Sequence, residues 1–307
     1  MKIYHNINEI RFNVNRVITV GGFDGLHLGH QKLFDTLITQ AKINSLNTLA
    51  ITFDPLPKTF FNKNCPTTIL TTTKEKIDIF TKKSIDELLI IKFNEEISKL
   101  SPYNFLELLL DKVGFKIYVT GENHTFGHNR EGNLEFLKEK YNNKFNVTKV
   151  SHHKKNTDIV STTLIKKLII TENIEYVNDF LGYNYFLIGE VIAGNKIGRK
   201  LGFPTANINI PLNKIIPKNG VYLVQVEFGN TKKWGIADIG TRPTIADSIS
   251  EKQSLEVHIF DFCDDIYGTE VKTTLLKYIR AEHKFNNTNE LAAQISKDVA
   301  LCQMMIR

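Results

Sequence analysis

A short apolar run that leads through glycines into a helical pattern constrains the first half of this chain most strongly. Residues 16–20 (RVITV) read as a strand, and the glycine-rich string GGFDGLHLGH follows at 21–30. Beyond it, Leu33, Leu37 and Ala41 repeat at the spacing of one helix face. Glycine lets the backbone turn and approach a ligand closely. The segment therefore predicts a strand, a turn and a helix start, whose free N–H groups suit a phosphate.

Two histidines, His27 and His30, stand at the end of this turn. Their rings supply N–H donors that can carry charge near neutral pH. In open α/β sheets, ligands bind beyond the carboxyl ends of the strands, which is where this pair is predicted to lie. We interpret the pair as phosphate-handling groups. The alternative is an ordinary helix N-terminus with one capping and one surface histidine.

Strand-like and helical segments alternate through the first 180 or so residues. The predicted strands are 16–20, 48–53, 87–93, 116–120 and 146–150, and a helix is predicted at 103–113. Such alternation predicts βα units around a mostly parallel sheet.

The pattern changes after about residue 183, where strands with turn signals between them follow one another. They are predicted at 186–193, 220–228, 233–239, 254–262 and 271–280. This succession predicts a small, mainly antiparallel barrel. A final helix carries one apolar stripe, formed by Leu291, Ile295, Val299 and Cys302. We therefore expect two domains, at residues 1–182 and 183–307.

Composition limits the class of protein. The 307 residues carry a net charge of +6, which suits phosphate-bearing ligands and is too mild to imply nucleic acid. Cys65, Cys263 and Cys302 are scattered, without disulfide or metal-site spacing. No signal-peptide pattern and no apolar run of membrane-spanning length is present in the sequence. We expect a cytoplasmic protein with small-molecule partners and neither nucleic-acid nor membrane partners.

Several strings of the first half carry a family resemblance. Residues 22–30 (GFDGLHLGH) resemble the HxGH signature of the nucleotidyltransferase superfamily. With 52–57 (TFDPLP), 121–127 (GENHTFG) and 161–166 (STTLIK), they follow the order seen in the bacterial bifunctional riboflavin kinase/FMN adenylyltransferases, also called FAD synthetases. The resemblance implies a Rossmann-like α/β nucleotidyltransferase domain in which His27 and His30 are catalytic and stabilise the triphosphate. It assigns ATP binding to Gly22, Phe23, Asp24, Gly29, Asn123, Ser161, Thr162 and Lys166. The plainer interpretation makes Asn123 a turn residue and Ser161 a helix N-cap.

A second site is indicated by residues 189–207 (GEVIAGNKIGRKLGFPTAN). In an extended chain Thr205 and Asn207 point to one face, and they offer oxygen ligands that Mg²⁺ accepts beside ATP oxygens. Gly194, Gly198 and Gly202 would let backbone N–H groups approach phosphates. The alternative is a glycine-rich hairpin followed by a strand, which does not explain the polar alternation.

This string closely resembles the riboflavin kinase signature that ends in Pro-Thr-Ala-Asn, and 220–222, 235–244, 255–262 and 265–268 fit the same domain. The resemblance implies an antiparallel β-barrel kinase domain with a C-terminal helix. It assigns nucleotide binding to Gly194, Gly198, Arg199, Gly202 and Pro204, and metal binding to Thr205 and Asn207. It makes Glu256 the catalytic carboxylate. From the alternation alone, Glu256 would simply lie on the outward, wet face of a strand.

Three residues depart from the family pattern. Leu56 stands where histidine is usual, Lys166 where arginine is usual and Asp238 where asparagine is usual. Arginine grips phosphate as a planar fork, whereas lysine acts as a point charge. The departure at Lys166 therefore bears on the strength of ATP binding.

The resemblance implies two linked activities. The barrel would phosphorylate riboflavin to FMN with Mg·ATP, and the N-terminal domain would adenylylate FMN to FAD and release pyrophosphate. One alternative is a chain with a single active module, the kinase, beside a weakened adenylyltransferase site. Two others are a basic nucleic-acid-binding protein with a small barrel and a flavin-binding module without catalysis.

Overall fold

The computed structural model of the chain describes residues 1–62, 67–155, 157–194, 197–242 and 252–306. Cys65 and the end of the 235–244 string, Pro243 and Thr244, lie outside these residues. The chain divides into two compact units, Met1–Thr162 and Thr163–Arg307. None of the described helices has the length and apolar character needed to cross a bilayer.

The first unit is built on one six-stranded sheet. Its strands are β1 (Lys2–Tyr4), β2 (Arg16–Val20), β3 (Asn47–Asp54), β4 (Glu87–Lys92), β5 (Ile117–Gly121) and β6 (Asn146–Val150). They lie in the order β1-β4-β3-β2-β5-β6, and every pairing is parallel. The five predicted strands are confirmed. The three-residue edge strand β1 was not predicted, because it is too short to show a pattern.

The helices of this unit cover the faces of the sheet. They are α1 (Leu28–Asn44), α2 (Pro57–Phe61), α3 (Thr73–Thr81), α4 (Glu95–Ser98), α5 (Pro102–Lys112) and α6 (Leu134–Tyr141). Short 3₁₀ turns span Ile7–Glu9 and His128–Arg130, and β7 (Lys154–Lys155) pairs with β8 (Asp158–Ile159). Because all six strands of the sheet run parallel, their carboxyl ends meet at one edge, and the loops that carry chemistry gather there.

The second unit is built on a closed six-stranded barrel. Its strands are β9 (Phe186–Ile192), β10 (Ala206–Asn209), β11 (Gly220–Phe228), β12 (Thr231–Arg242), β13 (Lys252–Ile259) and β14 (Glu270–Arg280). Their order is β10-β13-β12-β11-β14-β9, and each neighbouring pair is antiparallel. The predicted barrel is confirmed. The sixth strand, β10, was anticipated only as an extended segment, because it has four residues.

Helices α7 (Thr162–Thr171), α8 (Ile174–Leu181), α9 (Ile197–Lys200) and α10 (Thr288–Met305) complete the described elements. The C-terminal helix α10 packs on the outer face of the barrel. Cys302 is fully buried there against Val221 and Ile236, and Val299 packs beside it. On the same face Arg280 pairs with the buried Asp298 at 2.7 Å. The predicted apolar stripe of this helix is therefore the side that meets the barrel.

Helix α8 is tied to the barrel by polar contacts. The Asn178 side chain accepts a hydrogen bond from Tyr185 N at 2.7 Å and donates one to Leu275 O at 3.1 Å. Glu175 accepts another from Tyr278 N at 3.2 Å. The change in the sequence pattern predicted the domain boundary after residue 182, beyond this helix, and that boundary stays a prediction.

Two fragments of the chain test the predicted domain boundary after residue 182. We expect a fragment of residues 183–307 to melt at a lower temperature than one of residues 163–307. The shorter fragment lacks the buried apolar residues of α8, Ile174, Val177, Phe180 and Leu181. Each such side chain contributes about 1.5–3 kcal/mol when buried, so the difference should exceed about 10 °C. Calorimetry of both fragments measures it, and equal melting temperatures would support the boundary after residue 182.

Candidate active sites

The loop between β2 and α1 has a fixed and unusual backbone shape. Phe23 and Leu26 have φ angles of 46° and 37°, a region that residues with side chains rarely adopt. Both side chains are buried, and the Phe23 ring packs edge-on against Phe34 and Phe80. Packing therefore holds the loop in a conformation that its sequence alone does not favour, as is common at functional sites.

His27 and His30 meet directly at the start of α1. His27 occupies the N-cap position, and its side chain makes no capping hydrogen bond. The two rings stack with centroids 3.8 Å apart. The Nδ1 atoms of both rings are buried and lack a hydrogen-bond partner among the described residues. The arrangement differs from one capping and one surface histidine, since neither ring caps the helix and His30 is not exposed.

Burial keeps both rings neutral. It lowers the pKa of His27 to about 4. It lowers the pKa of His30 well below the ordinary value, and the neighbouring His27 and Lys76 lower it further. A neutral imidazole has one N–H donor and one acceptor nitrogen. Buried polar atoms without protein partners, beside a helix N-terminus, suit a ligand that brings oxygen atoms of its own.

The other predicted residues of this loop hold its shape. Asp24 Oδ1 accepts hydrogen bonds from Leu70 N at 2.8 Å and Thr71 N at 3.0 Å. Thr162 Oγ1 donates to Asp24 O at 2.9 Å. A side chain at Gly29 would press on the His27 ring, with its Cβ at 3.1 Å. Asp24, Thr162 and Gly29 therefore position the loop around the histidines.

The departure at Leu56 also lies beside this loop. A Cβ placed on Gly22 would lie 3.4 Å from Leu56 Cδ2, in ordinary van der Waals contact. An apolar side chain thus adjoins the glycine turn at this point.

Lys76 in α3 is a residue of this site that the sequence did not reveal. It is 2% exposed, and its Nζ donates to Gly22 O at 2.9 Å and to Thr52 Oγ1 at 3.2 Å. Burial lowers its pKa to about 8, against the opposing effect of Asp24 and Asp54. In a lysine-rich chain nothing in the local pattern distinguishes this lysine from a solvated one.

A polar group lies at the carboxyl ends of β5 and β6. The Asn123 side chain lies 2.8 Å from His152 Nε2. Glu122 Oε1 accepts a hydrogen bond from His152 N at 3.0 Å, and this contact lowers the pKa of Glu122. His152 and the following His153 were not singled out from the sequence, although their position directly after a predicted strand is a usable signal.

Two further predicted residues lie at and within α7. Ser161 directly precedes the helix, and Lys166 lies within it; both are half-buried. Lys166 is therefore not simply one more fully exposed lysine.

In the barrel, three polar residues form a row across neighbouring strands. Asn207 of β10 lies opposite Glu256 of β13, and Glu256 lies opposite Asp238 of β12. Thr205 Oγ1 lies 3.4 Å from Glu256 Oε2. Residues directly opposite on antiparallel strands have closely spaced side chains. The predicted residues Thr205, Asn207 and Glu256 are thus brought together, and Asp238 joins them.

Steric contacts and backbone conformation explain why glycine occupies three positions of the 189–207 string. A Cβ on Gly194 would collide with the Asn207 amide, and one on Gly198 would collide with Phe203 O. Gly202 has a φ of 85°, which favours glycine. The first two glycines let the chain close tightly around Thr205 and Asn207.

Two cavities adjoin this row. The larger has a volume of about 290 Å³, and its lining includes Thr205, Asp238, Glu256 and Arg280 with apolar side chains of α10 such as Leu291 and Ile295. Helix α10 covers this face of the barrel, so Glu256 is half-buried at a cavity rather than on a wet strand face. The smaller cavity, about 60 Å³, is lined by Arg199, Pro204 and Thr205 among others. Thr205 therefore borders both cavities.

The carboxylates of the larger cavity influence one another. Desolvation raises the pKa of Asp238 to about 6, and the nearby Glu282 and Glu256 add to this effect. Asn219 Nδ2 donates to Glu282 Oε2 at 2.9 Å. The side chain at 238, which the sequence presents as a minor departure, therefore places a second acid beside Glu256.

Oxygen atoms from hydroxyl, amide and carboxylate groups meet in this row. Among the described residues, no group of three His, Cys, Asp or Glu side chains could hold a metal by itself. A hard cation such as Mg²⁺ is usually held by few protein oxygens together with substrate phosphates. Thr205 and Asn207 fit that kind of site.

Comparison with known families divides the chain as its fold does. A family model described as FAD synthetase matches residues 9–164, and one described as riboflavin kinase matches residues 181–306. A solved structure titled as a macrolide-efflux protein from Streptococcus pneumoniae superposes with a TM-score of 0.87 at 29% identity, covering 98% of both chains.

Curated relatives are similar over almost the whole length. A bifunctional riboflavin kinase/FMN adenylyltransferase of Buchnera aphidicola subsp. Schizaphis graminum is 42% identical, over 97% of this chain and 95% of the relative. Those of Bacillus subtilis and Escherichia coli K12 are 34% and 33% identical, over 96% and 92% of this chain and 93% and 90% of their own lengths. With both matched regions present in order, the chain belongs to the bifunctional riboflavin kinase/FMN adenylyltransferase family.

Proposed function

We propose that this chain converts riboflavin to FAD in two ATP-dependent steps. The barrel transfers the γ-phosphoryl group of ATP to the 5′-hydroxyl of riboflavin and yields FMN and ADP. The N-terminal unit transfers the adenylyl group of a second ATP to the FMN phosphate and yields FAD and pyrophosphate. The observation that carries the proposal is the presence of both matched regions in one chain, each with its own polar cluster.

Phosphorylation of riboflavin calls for a base, because a hydroxyl is a weak nucleophile. Glu256 is the proposed base, since it lies within 3.4 Å of Thr205 at the wall of the larger cavity. The apolar residues of that cavity would receive the flavin ring, and the smaller cavity with Arg199 and Pro204 would receive the nucleotide. The tight turns at Gly194, Gly198 and Gly202 would admit its phosphates.

Thr205 and Asn207 are the proposed holders of Mg²⁺. When bound, Mg²⁺ neutralises negative charge on the phosphates during transfer. The chain's own part is to fix the two oxygen ligands. The Asn207 amide is 8% exposed and closely packed against Gly194, so its direction is set before substrate arrives.

Adenylylation of FMN needs no base, because the FMN phosphate is already an anion. The task there is to orient two phosphates and stabilise charge that builds on the α-phosphate and the departing pyrophosphate. His27 and His30 are proposed to donate N–H groups to that charge from the N-terminus of α1. Gly22, Phe23, Asp24 and Gly29 would shape this site, and Asn123, Ser161, Thr162 and Lys166 would hold ATP.

The rival functions are less well supported. The presence of both matched regions does not favour a chain in which only the kinase is active. Family membership argues against a nucleic-acid-binding barrel or a flavin carrier without catalysis. A cytoplasmic location stays a prediction.

One assay tests the proposed function. The purified chain is incubated with riboflavin, ATP and Mg²⁺, and FMN and FAD are separated chromatographically over time. We expect FMN to appear first and FAD to follow, and both to stop when a chelator removes Mg²⁺. FMN without FAD would instead support the kinase-only alternative, and neither product would contradict the proposal.

Glu256→Gln should reduce riboflavin phosphorylation by about a hundredfold to ten-thousandfold, because it keeps the shape and removes the base. FAD formation from supplied FMN should stay unchanged. The matched control is Glu282→Gln, which alters another carboxylate of the same cavity. Near-normal phosphorylation in Glu256→Gln would show that Glu256 is not the base.

His30→Ala should lower FAD formation from FMN by about a hundredfold or more, because it removes a preorganised donor. His27→Ala should act in the same direction, and riboflavin phosphorylation should be spared in both. His128→Ala is the control, since His128 is exposed in a 3₁₀ turn and its Nδ1 contacts Ser98 O. Normal adenylylation in both histidine variants would contradict their proposed role.

Lys166→Ala should raise the KM for ATP in the adenylylation step, because the charge at the family's arginine position is lost. Lys166→Arg should lower that KM, since a guanidinium holds two phosphate oxygens at once. Lys167→Ala, which alters the exposed neighbour, is the control. If Lys166→Ala leaves ATP kinetics unchanged, the side chain has no contact with ATP.

A further inference from the structure

Lys76 lies outside the sequence motifs and has no role in the proposed mechanism, yet it contacts the glycine turn. Its ammonium group is almost fully enclosed, yet it faces no carboxylate at salt-bridge distance among the described ion pairs. Its two described hydrogen bonds go to Gly22 O and Thr52 Oγ1. Burying an ammonium group is costly, so a lysine in this position calls for an explanation.

The first consequence concerns the glycine turn. Gly22 O receives hydrogen bonds from Lys76 Nζ at 2.9 Å and from Thr52 Oγ1 at 3.2 Å. A carbonyl held from two sides fixes the plane of the following peptide, which leads into Phe23 and its unusual backbone angle. Lys76 therefore joins α3 and β3 to the turn that precedes the histidines.

The platform that carries Lys76 is itself rigid. Thr72 and Glu75 form a capping box at the start of α3, with hydrogen bonds of 3.2 Å and 2.8 Å. Thr71 Oγ1 accepts a hydrogen bond from Gly25 N at 2.9 Å. The start of α3 and the turn are thus connected by hydrogen bonds besides those of Lys76.

The second consequence is electrostatic. The charge of Lys76 is one of the causes that lower the pKa of His30, after burial and His27. Among the described residues, Asp24 and His153 act on His27, and Asp24 and Asp54 act on Lys76. Lys76 therefore supplies a positive charge that acts on His30 of the histidine pair.

We propose that Lys76 is a positioning residue of the adenylylation site, which fixes the Gly22 peptide so that both histidines meet the nucleotide phosphates in one geometry. This inference rests on the proposed function of the same site. It assigns to α3 a part in that site which none of the HxGH, Asn123 or 161–166 segments supplies.

The test uses the full chain and the near-isosteric variant Lys76→Met. We expect FAD formation from FMN to fall by about a hundredfold, the loss associated with small misplacements of reacting groups. Riboflavin phosphorylation by the same preparation should be unchanged, which shows that the protein is intact. Lys74→Met is the matched control, because Lys74 is an exposed lysine of the same helix. Normal FAD formation in Lys76→Met would overturn the proposal.

A second readout does not depend on activity. The chain is labelled with ¹⁵N-histidine, and the His30 signal is identified by its loss in His30→Ala. We expect the His30 titration midpoint to be higher in Lys76→Met than in the wild type, because a cause of its lowering is gone. The midpoint should be unchanged in Lys74→Met. An unchanged midpoint in Lys76→Met would contradict the placement of the Lys76 ammonium group beside His30.

The Thr52→Val variant distinguishes the fixing of the Gly22 peptide from the effect of the Lys76 charge on His30. It removes the hydrogen bond that Thr52 Oγ1 donates to Gly22 O and the one that it accepts from Lys76 Nζ, and it retains the lysine charge. FAD formation should therefore fall about five- to tenfold while the His30 midpoint stays in place. This variant also tests the role of the Gly22 peptide if Lys76→Met does not fold, and a normal rate would contradict it. If wild-type protein forms no FAD, the proposed function fails. If the wild-type protein forms FAD and the Lys76→Met and Thr52→Val variants form it at the same rate, the proposed function stands and the inference about Lys76 fails.

Discussion

The requirement that buried polar groups find partners governs the proposed adenylylation site. Asp24 and Lys76 are both nearly enclosed, and each is held by hydrogen bonds to backbone or hydroxyl groups of the surrounding loop and strands. These bonds fix the turn between β2 and α1. Beside this turn, the Nδ1 atoms of His27 and His30 are buried without a hydrogen-bond partner among the described residues, which suits a ligand that brings its own polar atoms.

In the barrel, strand register and a covering helix bring the polar groups of the proposed kinase site together. Its polar residues occupy one row across three antiparallel strands, where strand register brings Asn207, Glu256 and Asp238 side by side. Helix α10 covers the face that carries this row, and the space between helix and strands becomes a cavity. The packing of Cys302 and the Arg280–Asp298 pair hold that helix in place. The C-terminal helix is thus a wall of the proposed flavin site as well as part of the fold.

The two sites also differ in charge, as their proposed chemistries require. Neutral histidines at a helix N-terminus offer donors to an anion without proton transfer. A carboxylate beside a hydroxyl-binding cavity offers proton transfer. Asp238 adds a second acid to the barrel site, where burial raises its pKa to about 6 and the nearby Glu282 and Glu256 add to this effect.

Much of this protein was determined by the sequence alone. The periodicity of residues 16–20 and 33–41 and the alternation in the second half predicted the sheet and the barrel, because strands and helices repeat with fixed periods. The string 21–30 predicted that His27 and His30 would lie at a helix start beyond the carboxyl end of a strand, and the structure adds that their rings stack. Only the tertiary structure decided what surrounds these groups. Lys76 lies 46 residues beyond His30 in the sequence and Asp238 lies 18 before Glu256, and no local pattern relates either pair. Burial beneath α10, the register of β12 with β13 and the docking of α3 on the turn arise from packing between distant segments. They therefore decide which lysine is enclosed and which acid lies beside the proposed base.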